Sequence, residues 1–223
     1  MTSLFDLIVS GGQCVTPSGI VHADLGVQDG SIVALGDLSQ KSAGTVVHAK
    51  GLHILPGIID SQVHFREPGN EHKEDLSTGT SAAVLGGVTS IFEMPNTDPP
   101  TTSSSALEDK LQRALGRAWC NYAFYLGATP ENADELADLE ILPGCSGIKI
   151  FMGSSTGGLL VSDDETLGRA MRSGKRRMAI HSEDEFRLIE RKVLAEKAGD
   201  VHAHPDWRDA QTALNATKRL IKI

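Results

Sequence analysis

Residues 57–69 read GIIDSQVHFREPG, and this stretch carries the strongest fold signal in the chain. Its apolar start followed by alternating residue types predicts a β-strand, in which successive side chains point to opposite faces. Asp60, Gln62 and His64 would therefore share one face of that strand. Three polar side chains near the end of a strand indicate either a functional surface or a strand end that simply meets solvent.

Strand-like and helix-like segments alternate along the chain from this stretch onward. Strand patterns begin roughly every 30 residues, which is the length of one βα unit in a parallel sheet with right-handed crossovers. The predicted strands are Ile54–His64, Val88–Met94, Asn121–Leu126, Gly147–Met152 and Met178–His181. The predicted helices cover residues 75–85, 104–115, 132–139, 164–171 and 184–198. The pattern predicts an α/β fold built on a parallel sheet.

Two α/β architectures agree with this rhythm: an open doubly wound sheet and a (β/α)8 TIM-type barrel. No Gly-x-Gly-x-x-Gly follows the first predicted strand, which argues against a nucleotide-binding open sheet. A complete barrel needs about 250 residues, whereas the part of this 223-residue chain from residue 54 onward holds about five βα units. The pattern therefore predicts either a short open sheet or a barrel truncated to about five units.

Residues 1–53 have a different character and form a separate small β segment in this interpretation. Short β-branched runs alternate there with turn residues, and Asp29-Gly30 between two such runs predicts a hairpin. The segment is too small to hold a large core of its own. We expect an antiparallel segment that pairs with another part of the protein in a composite β-sandwich, with a second domain covering residues 54–223.

The composition narrows the class of protein. A net charge of −8 and a pI near 5.4 argue against a nucleic-acid or anionic membrane surface and favour a small-molecule substrate. Three scattered cysteines are too few for a disulfide framework. Neither a signal-peptide pattern nor an apolar run of about 18 residues occurs, so we expect a cytoplasmic protein.

Lys149 lies within a strongly apolar, β-prone run, residues 146–152. A lysine is rarely buried without a partner, and burial pushes its pKa towards the neutral amine. A neutral amine can react with carbon dioxide to form a carbamate, which is a carboxylate able to bridge two cations. The alternative is a strand-edge lysine whose stem is buried and whose ammonium reaches water.

Three further polar residues, His181, Arg66 and Asn96, fall near the ends of predicted strands. His181 follows the fifth strand pattern, and neutral imidazole is a ligand that zinc prefers. His64, Lys149 and His181 come at equivalent positions of the first, fourth and fifth strands, as one shared cavity would require. Arg66 and Asn96 lie beside the same strand ends and could bind an anionic amide, although a surface ion pair and a turn asparagine are the simpler interpretations.

Several ordered motifs resemble those of one enzyme family over essentially the whole chain. They are LPGIID at 55–60, HFREPG at 64–69, EMPNT at 93–97, GIKIFMG at 147–153 and HSE at 181–183. Together they resemble the amidohydrolase superfamily, and within it the dihydroorotases of the class that includes allantoinase-like and hydantoinase-like enzymes. The resemblance implies a (β/α)8 barrel, here represented by about five units after a small N-terminal β segment.

The resemblance also implies roles for individual residues. His64 would be a ligand of a first zinc ion, Lys149 a carbamylated bridging ligand, and His181 a ligand of a second zinc ion. Arg66 and Asn96 would hold a substrate carboxylate, and an arginine at position 66 favours dihydroorotase over its relatives. Gln62 stands where the family motif has its first histidine, and an amide oxygen is a poorer zinc ligand than imidazole.

The implied reaction is the reversible hydrolysis of dihydroorotate to N-carbamoyl-aspartate in pyrimidine biosynthesis. The aspartate that serves as general base in the family is expected beyond residue 223. A homodimer is the expected assembly, with another pyrimidine-pathway enzyme as a further candidate partner. Two alternatives remain: a hydantoinase or dihydropyrimidinase with a neutral substrate, and a catalytically inactive paralogue or fragment that acts as a structural partner, which Gln62 favours.

Overall fold

The computed structural model describes residues 5–154 and 158–223. The chain divides into two compact units between Gly57 and Ile58. The sequence-based boundary was placed after residue 53, but the short strand His53–Ile54 pairs with the first strand of the chain and so belongs to the first unit. Each unit has its own sheet.

Five strands form the sheet of the first unit. They are β1 (Phe5–Thr16), β2 (Gly19–Gln28), β3 (Ser31–Gly36), β4 (Ala43–His48) and β5 (His53–Ile54). β1, β2 and β3 form an antiparallel meander. Asp29 and Gly30 make the predicted hairpin turn, with φ values of 50° and 71° that suit a two-residue turn. A small core of Phe5, Ile8 and Leu38 packs against this sheet.

The expectation of a purely antiparallel segment was wrong for the last two strands. After β3 the chain passes to the other edge of β1, where β4 and β5 both pair with it in parallel. A tight hairpin after β3 would have placed β4 next to β3 and antiparallel to it. The chain instead crosses the sheet, so that β4 lies beside β1 and runs parallel to it. Turn residues in the sequence indicate that the chain changes direction, but they do not distinguish a hairpin from a connection that crosses the sheet.

The second unit alternates strands and helices. Its strands are β6 (Ile58–Val63), β7 (Val88–Glu93), β8 (Asn121–Gly127), β9 (Cys145–Phe151) and β10 (Met178–His181). Its helices are α1 (Leu76–Leu85), α2 (Ser104–Ala114), α3 (Leu136–Leu139), α4 (Asp164–Ser173), α5 (Glu185–Ala198), α6 (His204–Trp207) and α7 (Ala210–Lys222). Within the described ranges no helix combines the length and apolarity needed to cross a membrane.

The order of the strands separates the two architectures that the sequence left open. All five strands are parallel, and each one pairs with the next along the chain, in the order β10-β9-β8-β7-β6. A doubly wound sheet requires a reversal of strand order, where its ligand site forms. This sheet has no such reversal, and its consecutive order is that of a (β/α)8 barrel wall.

The hydrophobic core of the second unit lies between the sheet and its helices. Phe124, Leu126, Ile148 and Ile150 are fully buried there with apolar side chains from α1, α2 and α4. Because side chains alternate along a strand, Lys149 projects from the opposite face to its neighbours Ile148 and Ile150. Because Ile148 and Ile150 face the helices, the Lys149 side chain projects from the face of the sheet opposite the helices.

One predicted helix is much shorter in the structure. The pattern predicted residues 132–139, but α3 covers only the last turn. Asn132 instead holds the loop after β8: its Oδ1 accepts from the Thr129 N–H at 2.8 Å, and its Nδ2 donates to the Gly127 and Thr102 carbonyls at 3.0 and 2.8 Å. Asparagine side chains compete with helical hydrogen bonds in this way.

Candidate active site

A β-bulge changes the geometry at the end of β6. Asp60 pairs with Ile91 and Val63 with Glu93, so β6 contains one residue more than β7 between the two pairs. The Asp60 side chain accepts the Gln62 N–H at 3.0 Å, and both residues are exposed. The prediction that Asp60, Gln62 and His64 share one face assumed that side chains alternate strictly between the two faces of the strand. The bulge interrupts that alternation, so the prediction does not hold across this strand.

The His64 ring lies beside the loop that follows β7. Its Nδ1 is 2.8 Å from Oδ1 of Asn96, an oxygen that can only accept, so Nδ1 carries the proton. That tautomer leaves the lone pair of Nε2 free for a metal ion. The structure thus brings together two of the residues predicted for the site, with Asn96 orienting His64.

Burial is the main reason why the pKa of His64 lies below its ordinary value. The hydrogen bond to Asn96 opposes this effect, whereas the positive charges of Arg66, Lys149 and Lys110 add to it. A neutral imidazole is the form that binds a metal ion. The charges of Arg66 and Lys149 thus favour the neutral form of His64.

Arg66 follows the strand in a left-handed backbone conformation, with φ 68°. Few non-glycine residues adopt this conformation, so the surrounding loop must hold it. The Arg66 carbonyl accepts the Asn70 N–H at 3.0 Å, which closes the turn. No carboxylate of residues 5–154 and 158–223 forms an ion pair with the Arg66 guanidinium.

Glu67 anchors this loop to the helices behind the sheet. Its side chain is only 3 % exposed and accepts two hydrogen bonds from Arg117, at 2.7 and 3.2 Å. It also accepts the N–H of Leu76 at the start of α1, at 3.0 Å. The sequence interpretation missed this role, and the glutamate within HFREPG was its only signal.

Lys149 lies on β9, between β8 and β10 of the parallel sheet, and is 3 % exposed. Its register partners are Gly127 on β8 and Ala179 on β10, both small residues. Burial lowers its pKa, and no carboxylate in the described part of the chain pairs with it. The lysine therefore has the buried, unpaired amine that carbamate formation requires, and the strand-edge alternative does not fit.

His181 ends β10 on the same side of the sheet as Lys149. The Phe151 ring centroid lies 5.1 Å from Lys149 Nζ and 5.9 Å from the His181 ring centroid, so both side chains flank one aromatic ring. His181 Nε2 is 2.5 Å from Glu183 Oε2. Burial works to raise the pKa of Glu183, but hydrogen bonds from Arg208 and His181 outweigh it and hold the pKa below its usual value.

Comparison with known proteins identifies the family of this site. The profile of the Amidohydrolase family matches residues 53–209, which is more than half of the chain. The chain belongs to the amidohydrolase family. The motifs that suggested the resemblance all lie within or next to this matched range.

Curated amidohydrolase relatives carry two different names. An allantoinase from Deinococcus radiodurans is 37 % identical over 97 % of this chain and 50 % of its own length. A dihydroorotase from Methanosarcina mazei is also 37 % identical, over 88 % of this chain and 43 % of its own length. The chain therefore spans about half the length of the curated relatives that it matches.

A solved structure extends this likeness to the fold. The L-hydantoinase (dihydropyrimidinase) of Arthrobacter aurescens superposes with a TM-score of 0.89 and 28 % identity, covering 98 % of this chain and 50 % of its own. Together with the consecutive strand order, this confirms the predicted barrel-type fold. It also confirms the resemblance to the cyclic amide hydrolases as a group.

The donor set of this amidohydrolase fits a metal ion only if Lys149 takes part. Within residues 5–154 and 158–223, no three His, Cys, Asp or Glu side chains are grouped to hold a metal ion. His64 and His181 supply two imidazoles, and a carbamate on Lys149 would add the carboxylate that is otherwise lacking. Gln62, exposed at the bulge, adds at best an amide oxygen.

A buried ion pair supports the same edge of the sheet from behind. Lys110 Nζ on α2 lies 2.7 Å from Glu93 Oε2 at the end of β7 and donates to the Met94 carbonyl at 3.1 Å. Burial raises the pKa of Glu93 and lowers that of Lys110, and their mutual attraction opposes both shifts. This pair fixes the end of β7, three residues before Asn96.

Proposed function

We propose that this chain carries the metal-binding and carboxylate-binding residues of a dihydroorotase. The supporting observation is Arg66, a guanidinium beside His64 that has no carboxylate partner in the described part of the chain. A planar guanidinium binds a carboxylate through two parallel hydrogen bonds. Dihydroorotate has such a carboxylate on its ring, whereas dihydrouracil, hydantoin and allantoin have none.

His64, Lys149 and His181 are the residues that would hold zinc in this proposal. Zinc at this position supplies Lewis-acid chemistry, by activating water and polarising a ring carbonyl. The neutral Lys149 amine would form an N–C bond to carbon dioxide and lose one proton to water, so that a neutral amine becomes an anionic carboxylate donor. Asn96 Oδ1 keeps His64 in the required tautomer, so its amide nitrogen is left for the substrate.

Substrate positioning falls to Arg66 in this mechanism. The left-handed backbone at Arg66 and the anchor at Glu67 hold the guanidinium next to His64 without a competing acid. Fixing the ring by its carboxylate would orient the scissile amide towards the residues that would hold the metal ion. We assign the general base to no residue of this chain.

Arg66→Ala in the protein as expressed from its gene tests the substrate assignment. Loss of a hydrogen-bonded charge pair costs about 1.5–3 kcal/mol, so kcat/KM for dihydroorotate should fall roughly 10- to 150-fold, mainly through KM. Turnover of dihydrouracil, which has no carboxylate, should change little. Arg169→Ala, which removes a surface guanidinium paired with Asp134, is the control. An unaltered KM for dihydroorotate in Arg66→Ala would disprove the carboxylate role.

Allantoinase is the second candidate, because the relative from Deinococcus radiodurans matches nearly the whole chain at 37 % identity. Allantoin is neutral and would gain little from Arg66. The third candidate is an inactive paralogue, because Gln62 provides an amide where the family motif has a zinc-binding imidazole. Turnover of allantoin unaffected by Arg66→Ala would favour allantoinase. Less than about one zinc per chain after addition of metal and bicarbonate, with no turnover, would favour the inactive protein.

A further inference from the structure

A chain of polar contacts leads from His181 to a residue outside every sequence motif. His181 Nε2 lies 2.5 Å from Glu183 Oε2. Glu183 Oε1 accepts from Arg208 Nε at 3.0 Å, and Arg208 Nη2 also donates to Glu183 Oε2. Arg208 Nη2 is 3.3 Å from His181 Nε2, so the three side chains form a closed triangle.

The chemistry of these groups decides the tautomer of His181. An ionised carboxylate only accepts hydrogen bonds and a guanidinium only donates them. The contact between Glu183 and His181 is therefore a hydrogen bond only if His181 Nε2 carries a proton. Arg208 donates its hydrogen bonds to Glu183 and not to the His181 ring. A neutral ring with its proton on Nε2 has its lone pair on Nδ1.

We propose that Glu183, itself held by Arg208, is a positioning residue that fixes His181 in the Nε2–H tautomer and so presents Nδ1 as the donor to the metal. This inference rests on the proposed metal site and adds two residues to it. A carboxylate that accepts from the second nitrogen of a metal-binding histidine orients the ring and raises its basicity.

The fold holds Arg208 firmly enough for this role. The residue lies directly after α6, and its N–H bonds to the His204 carbonyl at 2.9 Å. The neighbouring Trp207 donates to the Leu188 carbonyl of α5 at 2.8 Å. Arg191 of α5 donates to the Asp206 carbonyl at 2.9 Å. The segment that carries Arg208 is thus tied to α5, which begins close to Glu183.

The tautomer can be measured without any metal ion. The 15N chemical shifts of the His181 ring in the metal-free protein distinguish the two neutral tautomers. We expect Nε2–H in the wild type and a mixture of tautomers in Glu183→Gln, because an amide can both donate and accept. Arg208→Gln should give a partial shift in the same direction. Arg191→Gln, which loosens the same segment without touching His181, is the control and should keep the wild-type tautomer.

Zinc affinity, measured by competition with a chromogenic chelator, gives the second test. Glu183→Gln should weaken binding roughly 10- to 100-fold, the usual effect of losing such a partner, and Arg191→Gln should change it by less than about twofold. Wild-type tautomer and affinity in both Glu183→Gln and Arg208→Gln would overturn the proposal. If the wild type binds no zinc while its tautomer depends on Glu183, the positioning role stands and the proposed function fails.

Discussion

Replacement of Lys110 by methionine tests how the end of β7 is held. Lys110 is 1 % exposed and Glu93 is fully buried, with 2.7 Å between Nζ and Oε2. Lys110 also donates to the Met94 carbonyl. Lys110→Met keeps the apolar volume of the side chain but removes the charge, so it leaves a carboxylate buried without its cation.

The expected cost follows from that uncompensated charge. Removal of one partner of a buried ion pair destabilises a protein by about 3–5 kcal/mol. For a chain of this size each kcal/mol lowers Tm by about 2–4 °C, so a fall of roughly 6–20 °C is expected. The double variant Glu93→Leu/Lys110→Met removes both charges and should recover most of the loss, because paired charges also cost desolvation energy.

The pH dependence of Lys110→Met has a defined sign. Burial already raises the pKa of Glu93, and removal of the Lys110 cation raises it further above the value in the unfolded chain. The folded variant then binds more protons than the unfolded chain, so its free energy of unfolding should increase as pH falls from about 8 to about 5. Urea unfolding followed by circular dichroism measures this. A cost below about 1 kcal/mol, or a double variant as unstable as the single one, would refute the reasoning.

Three other substitutions have definite expected outcomes. Lys149→Met should abolish the carbamate signal that 13C-bicarbonate produces in the NMR spectrum and reduce the zinc content; retention of either would exclude the carbamate role. Gln62→His should tighten zinc binding by at least about tenfold in the chelator assay, because imidazole is the better ligand; unchanged affinity would show that position 62 does not reach the metal. Gly69→Ala should cost about 1–3 kcal/mol on thermal unfolding, since φ is 94° and a Cβ would lie 2.2 Å from the Asp98 carbonyl oxygen. Gly87→Ala, with a similar φ of 87° but open space, is the control and should cost less.

The strands of the second unit could be predicted closely because their signals are local. Short runs of apolar and β-branched residues place β7 and β10 within one residue of the observed limits. The shortened α3 and the bulge in β6 could not be predicted in this way. Both depend on where a side chain finds its hydrogen-bond partner, Asn132 in the one case and Asp60 in the other.

In the candidate site too, the residues at strand ends could be predicted from the sequence, whereas their hydrogen-bond partners could not. His64, Lys149 and His181 could be proposed because the carboxyl ends of parallel strands meet at one edge of the sheet. Their supporting partners could not, because Glu67 and Arg117 are 50 positions apart and Glu183 and Arg208 are 25 apart. A single sequence contains no information about which distant charges pair.

The catalytic preference among ring amides tests the central claim most directly. It is measured as kcat/KM for dihydroorotate, allantoin and dihydrouracil, on protein prepared with zinc and bicarbonate. Recognition of a carboxylate by Arg66 predicts a preference for dihydroorotate of at least about tenfold over both neutral rings. An equal or greater kcat/KM for allantoin or dihydrouracil would contradict the assignment of this chain to a dihydroorotase.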